Sequence, residues 1–255
     1  MSKQTILLGT RKGLIAYNRS NGRWTVENLS FEGQPVSIAY SDPRSGTWWA
    51  CLDHGHWGVK LHRSKDRGGN WEEVPAPAYP EGEEVTDGVP AATRYIWSMA
   101  HGGKHFLSKL WLGTDPGGLF MSEDGGNSFR LVESLWQHPS RKTGWMGGGR
   151  DQPGIHSIVV DPRNEDHVHI GISCAGVFET MDGGRNWEVR NKGLRADFLP
   201  DPASDIGHDP HILVAAPSNP DMLWQQNHCG IFRSTNGGLK WEEVSQPEGP
   251  ARFGF

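Results

Sequence analysis

The chain is poor in cysteine, has no long apolar run and carries no excess of positive charge. Three Cys in 255 residues is a small, odd number. It argues against a disulfide framework and for a reducing compartment, so a cytoplasmic location is expected. No apolar run approaches the roughly 18 residues of a membrane span. Met1-Ser2-Lys3-Gln4 leads into a strand-like run rather than a signal peptide, and no membrane partner is expected. Lys and Arg number 25 against 30 Asp and Glu, a net charge of −5. Without clustered basic residues to meet phosphates, no nucleic-acid partner is expected. Helical periodicity is nearly absent. The run Gly147-Gly148-Gly149 reads as a loop, because it does not join a strand to a helix, so no nucleotide cofactor is expected. What the chain does have is 12 Trp and 12 His.

Short apolar runs alternate with Gly, Pro, Asn and Asp turns, which is an all-β pattern. One boxed turn, Ser/Thr-x-Asp/Asn-x-Gly-x-x-Trp/Phe, recurs at Ser64–Trp71, Ser122–Phe129, Thr180–Trp187 and Ser234–Trp241, its aromatic residues 58, 58 and 54 positions apart. Each repeat opens on an apolar run: Val36–Tyr40, Tyr95–Ala100, Ile155–Val160 and His211–Ala215. Two further runs separated by turns follow, and a fourth short strand begins at the box aromatic. Four antiparallel strands at a period near 55 residues describe a β-propeller blade. In the box, Asp66, Asp124, Asp182 and Asn236 can accept bonds from turn N–H groups, and these four residues are read as structural.

On these turns the chain resembles the Asp-box (BNR-repeat) β-propellers, a group that includes sialidases and many proteins labelled glycosyl hydrolase. The resemblance covers nearly the whole chain and implies one propeller domain over residues 1–255, with blades at about 1–31, 35–75, 94–133, 154–190 and 208–245. The first blade has a degenerate box and lacks its innermost strand. Residues 251–255 read as the start of a further strand. The resulting expectation is about five blades, truncated from a six- or seven-bladed propeller. Sialidase activity is not carried over, because the Phe/Tyr-Arg-Ile-Pro segment is absent, no Arg triad stands out as a motif, and only four Tyr are present.

Propeller topology gathers distant residues. The boxed turns mark one face. The opposite face takes the turns between second and third strands, the starts of the innermost strands and the long connections between blades. Six His are placed there: His54, His56, His156, His208, His211 and His228. Asp53, Asp151 and Asp209, with His54 and His56, are the catalytic candidates. Arg11, Arg94, Arg150, Tyr95, Trp57, Trp145 and His208 are the ligand-binding candidates. One divalent metal ion is a further expectation, held by His156, His211 and His228, with Gln226 or Asp209 supplying an oxygen ligand or an outer hydrogen bond, since the first two share a position in adjacent repeats. Trp97 is read as packing between blades, and His167 and His169 as packing or surface residues.

Three functions follow. The first is a glycosyl-hydrolase-like propeller that binds, and as a further step hydrolyses, a carbohydrate or anionic small ligand at the His-rich mouth. The second is a metal-dependent lyase or hydrolase using the His cluster. The third is a non-catalytic scaffold that docks a protein or glycan.

Overall fold

The computed structural model describes residues 4–245; the strand expected at 251–255 lies outside the described residues. The first sheet has three strands, β1 (Gln4–Thr10), β2 (Gly13–Ser20) and β3 (Arg23–Ser30). Four sheets of four strands follow. They are β4 (Val36–Ser41), β5 (Trp48–Asp53), β6 (Val59–Ser64) and β7 (Glu72–Val74); then β10 (Tyr95–His101), β11 (Leu110–Asp115), β12 (Leu119–Ser122) and β13 (Arg130–Leu131); then β14 (Ile155–Asp161), β15 (Asn164–Ile172), β16 (Gly176–Thr180) and β17 (Glu188–Val189); and last β18 (Pro210–Ala216), β19 (Asn219–Asn227), β20 (Gly230–Ser234) and β21 (Glu242–Glu243). A hairpin of β8 (Glu84–Thr86) and β9 (Val89–Pro90) precedes the third blade. Two single-turn helices, α1 (Glu133–Trp136) and α2 (Arg141–Gly144), lie in the connection after it.

Every strand in these sheets pairs antiparallel with its sequence neighbour, and the first strands of adjacent sheets touch: β4 with β10, β10 with β14, and β14 with β18. That is the radial arrangement of a β-propeller. The core lies between sheets. Trp111, Ile155, Ile170 and Phe178 pack together between the third and fourth blades, and Leu61, Leu110, Leu112 and Phe120 between the second and third.

The boxed turns close on themselves. Asp66 Oδ1 accepts from Ser64 Oγ and the Asn70 N–H, both at 2.8 Å, while Ser64 Oγ accepts the Gly68 N–H at 2.8 Å. The same bond from hydroxyl to side-chain oxygen, and the same bond from glycine N–H to hydroxyl, recur at Asp124, Asp182 and Asn236, where the acceptor is a carboxylate in the first two and an amide oxygen in the last. Bonds from Asn70 hold the Asp66 carboxyl down at about 2, and bonds from Ser128 do the same for Asp124. The box tryptophans also tie blades together: the Trp241 indole donates to the Arg190 carbonyl just after β17, and the Trp71 indole donates to Ser30 at the end of β3. By that equivalence β3 is the outermost strand of its sheet.

The innermost strands share an irregularity. In all four four-stranded sheets the pairing of first and second strands slips near the mouth, leaving Ser37, Trp97, His156 and His211 out of register. A bulge re-aims the residue it leaves unpaired. Beside it, serines lace the inner strands together: Ser98 Oγ donates to the Ile155 carbonyl at 2.8 Å, and the Leu213 N–H donates to Ser157 Oγ at 3.0 Å.

Gly113 lies opposite Ser98 in the register. A Cβ there would collide with the Ile155 carbonyl and the Ser98 hydroxyl. Gly113→Ala is therefore expected to pry the third and fourth blades apart and cost about 1–3 kcal/mol, the usual penalty of overpacking. The urea midpoint checks this, and an unchanged midpoint would refute the close approach.

Candidate functional site

Two groups of side chains meet at the bulged ends of the inner strands. The first is built on the third blade. Arg150, from the long connection, pairs with Asp115 at 2.8 Å, and Asp115 is 4% exposed at the end of β11. So held, the guanidinium lies 4.2 Å from the Tyr95 ring centroid and 5.1 Å from that of Trp97. Both are cation–π distances. Arg94 approaches Asp151 at 3.9 Å. Burial pushes the Asp115 carboxyl up, partly offset by its bond to Arg150. Burial also pushes the Tyr95 phenol up; Arg150 and Arg11 pull it down and Asp53 pushes it further up. Arg11 and Asp53 are thus within electrostatic reach of this group.

The second group spans the fourth and fifth blades. Asp209 Oδ2 lies 3.3 Å from His211 Nε2 and 3.9 Å from His228 Nδ1. The two His rings meet edge to face with centroids 5.8 Å apart. Asp209 is fixed from behind. Its Oδ1 accepts the Cys174 N–H at 3.1 Å, and its carbonyl accepts the His228 N–H at 2.9 Å. Cys174 has φ +52, a left-handed conformation that a non-glycine residue seldom adopts without a local reason. His156 joins the groups through the Trp97 ring, 6.0 Å between centroids. Burial drives its imidazole down to about 4, against the pull of Asp209.

Beside the mouth lies a cleft of about 430 Å³ lined by Glu84, Asp87, Arg141, Lys142, Trp145 and Gln152 among others. It shares backbone with the first group, since Pro116 and Gly117 follow Asp115, and Gln152 and Pro153 follow Asp151. Trp145 forms one wall. Its indole donates to Ser140 Oγ at 3.1 Å and its ring packs on Phe178.

Arg11, Asp53, Arg94, Tyr95, Arg150, Asp151, His156, Asp209, His211 and His228 are therefore brought to one region. His54, His56 and Trp57 form a separate single turn, with Trp57 67% exposed and the His56 ring against it. His208 is fully buried, with Nε2 against the Ser204 carbonyl at 2.6 Å, so its ring is enclosed in the wall and offers no surface to a ligand. Gln226 donates its amide to the Asn227 carbonyl. His156 bonds Ser157 Oγ through Nδ1, and its Cε1 and Nε2 pack against Gly171.

Sequence reasoning missed Asp115 as the anchor of Arg150 and assigned Trp97 to blade packing. The repeat offered a signal for Trp97, because its place in β10 matches that of His156 in β14. It also missed the polar network around His167 and His169. His167 Nε2 meets Glu179 Oε1 at 2.6 Å, His169 Nε2 meets the same oxygen at 3.1 Å, and Arg190 meets Glu179 Oε2 at 2.6 Å.

Fold and site together define a β-propeller with a polar mouth. Comparison with known proteins agrees on the fold. The chain is 27% identical over 195 residues to the oligoxyloglucan-reducing end-specific xyloglucanase of Emericella nidulans, a match covering 75% of this chain and 20% of that protein. The chain thus spans about a fifth of the length of that relative. Among solved structures, an ancestral GH74 enzyme aligns with a TM-score of 0.57 at 21% identity over 84% of this chain and 24% of its own. The GH74 xyloglucanase from Xanthomonas campestris aligns with a TM-score of 0.54 at 17% identity, covering 96% and 44%. YCF48 from Cyanidioschyzon merolae aligns with a TM-score of 0.52 at 14% identity, covering 91% and 62%. At these identities the structural likeness is one of fold. No family model matches the chain.

Proposed function

We propose that this chain is a carbohydrate-binding propeller of glycosyl-hydrolase type, with its ligand lying across the mouth. The observation that carries the reading is the Arg150 guanidinium, pinned by Asp115 over the rings of Tyr95 and Trp97. Flat rings beside fixed polar groups suit a sugar, which has apolar ring faces and hydroxyl edges. The neighbouring cleft, with Trp145 in its wall and Arg141, Glu84 and Gln152 at its edges, extends that surface for further sugar units.

The xyloglucanase relative supports a xyloglucan-type oligosaccharide as the substrate class. Hydrolysis is part of the proposal. Asp53 and Asp151 would supply the carboxylate pair such chemistry uses. The four hydrogen-bonded turns at Asp66, Asp124, Asp182 and Asn236 support membership of the Asp-box propellers. A cytoplasmic location belongs to the same proposal, supported by three free thiols, two of them buried.

The test is calorimetric titration with xyloglucan oligosaccharides, and with cello-oligosaccharides for comparison, followed by an assay for new reducing ends. Binding of the branched ligand with release of reducing ends is the expected result. Binding without release would reduce the reading to a non-catalytic module. No binding of either ligand would overturn it.

A further inference from the structure

The described residues hold two groups of His and carboxylate side chains whose ligand atoms converge. His167, His169 and Glu179 converge on the fourth blade, from β15 and β16. There His169 Nε2 also meets the Gly237 carbonyl at 2.9 Å, while Glu179 bonds His167 through one oxygen and Arg190 through the other. A nitrogen donating to a carbonyl has no lone pair to offer an ion, and a guanidinium on the second carboxylate oxygen repels a cation. That group is an ion-pair network.

The second group is Asp209, His211 and His228. Its three donor atoms all lie within 4.8 Å of one another. Zn–N and Zn–O bonds run about 2.0–2.2 Å, so tetrahedral geometry puts neighbouring donors about 3.3–3.6 Å apart. The observed separations from Asp209 Oδ2 are 3.3 Å to His211 Nε2 and 3.9 Å to His228 Nδ1. The third separation, between the two imidazoles, also lies within 4.8 Å, and the His228 side chain is 54% exposed.

The carboxylate is also oriented from behind. Asp209 Oδ1 takes the Cys174 N–H, leaving Oδ2 toward the two imidazoles. Such outer bonds fix the direction of a ligating carboxylate. His211 occupies the β18 bulge, which turns its ring toward the mouth, while His228 comes from the turn between β19 and β20 and Asp209 from the residue before β18.

We propose that Asp209 Oδ2, His211 Nε2 and His228 Nδ1 form a binding site for one divalent transition-metal ion at the mouth of the propeller. Two imidazoles and one carboxylate favour Zn²⁺, Co²⁺ or their neighbours over Mg²⁺ and Ca²⁺, which prefer all-oxygen shells. Three protein donors leave at least one position on the ion open, on the side where His228 is exposed, and a ligand hydroxyl or water can occupy it. The site goes beyond the carbohydrate reading and does not depend on it.

The test titrates the purified chain, without oligosaccharide, with Zn²⁺ by calorimetry and with Co²⁺ by visible absorption. One equivalent of Zn²⁺ and a protein-bound Co²⁺ d–d spectrum are expected, with Mg²⁺ giving no heat. His228→Ala is expected to keep its circular dichroism and melting temperature, because the side chain is half exposed, and to lose about 100-fold in Zn²⁺ affinity. Asp209→Asn should lose at least tenfold and alter the Co²⁺ spectrum. His105→Ala, a change at an exposed histidine on another blade, should bind as the wild type does. Failure of the wild-type protein to bind Zn²⁺ at micromolar concentrations, unchanged affinity in His228→Ala, or equal binding of Mg²⁺ would each overturn the proposal.

Discussion

Arg150→Ala is expected to lower oligosaccharide affinity by about 10- to 100-fold, with a smaller loss of stability because the buried Asp115 carboxyl loses its guanidinium partner. The side chain is 39% exposed and lies in a loop, so its removal opens no cavity in the core. What disappears is a donor group held by Asp115 over Tyr95 and Trp97. Hydrogen bonds to charged groups contribute about 1.5–3 kcal/mol, and each 1.4 kcal/mol is tenfold in affinity. Asp115→Asn asks a narrower question. It keeps the shape of the anchor and removes its charge, so the guanidinium loses its fixed position. About a tenfold loss of affinity is expected there. Calorimetric titration of both variants decides the matter: wild-type affinity in both would move the ligand away from this opening.

Much of the architecture could be read before any coordinates. The apolar runs at Val36, Tyr95, Ile155 and His211 fall on β4, β10, β14 and β18, differing from the observed bounds by at most one residue at each end. The cues there are local, since turn residues and alternation act over a few positions. The equivalence of His156 and His211 was also visible, because the repeat fixes their places. The detail that orients them was not. A bulge is a slip between two strands, and it depends on pairing rather than on composition.

Arg150 reaches Asp115 across 35 positions and Asp209 meets the Cys174 N–H across the same span; neither has a local sign. Gln226 is an expected oxygen ligand in the sequence, yet its amide donates to the Asn227 carbonyl. Alternation along β19 sends successive side chains to opposite faces, so nearness in sequence did not guarantee convergence. His169 shows the same limit from the other side. It looked like a packing residue because its neighbours are apolar, yet the register sets it directly opposite Glu179. Only the pairing reveals the carboxylate beside it.

That pairing makes Glu179 a residue whose loss should strongly harm stability. It is 6% exposed and accepts from His167, His169 and Arg190. Burial by itself would raise its carboxyl. The bonds from the two histidines and the charge of Arg190 more than reverse this, and the net displacement is downward. His167 moves the opposite way, raised chiefly by its bond to Glu179.

Glu179 therefore contributes stability above the ordinary carboxyl range, near about 4.3, and loses it as pH falls. His167 contributes fully below about 6.5 and loses its share as pH rises through its raised folded value. Between these limits the network is at its strongest. Glu179→Ala leaves Arg190 and two imidazoles without their shared acceptor, and removing one partner of a buried pair costs about 3–5 kcal/mol. Urea denaturation at pH 5.5 should show that loss, and the acid limb of the stability profile should flatten in the variant. A cost under about 1 kcal/mol, the range of exposed pairs, would mean that solvent reaches the network.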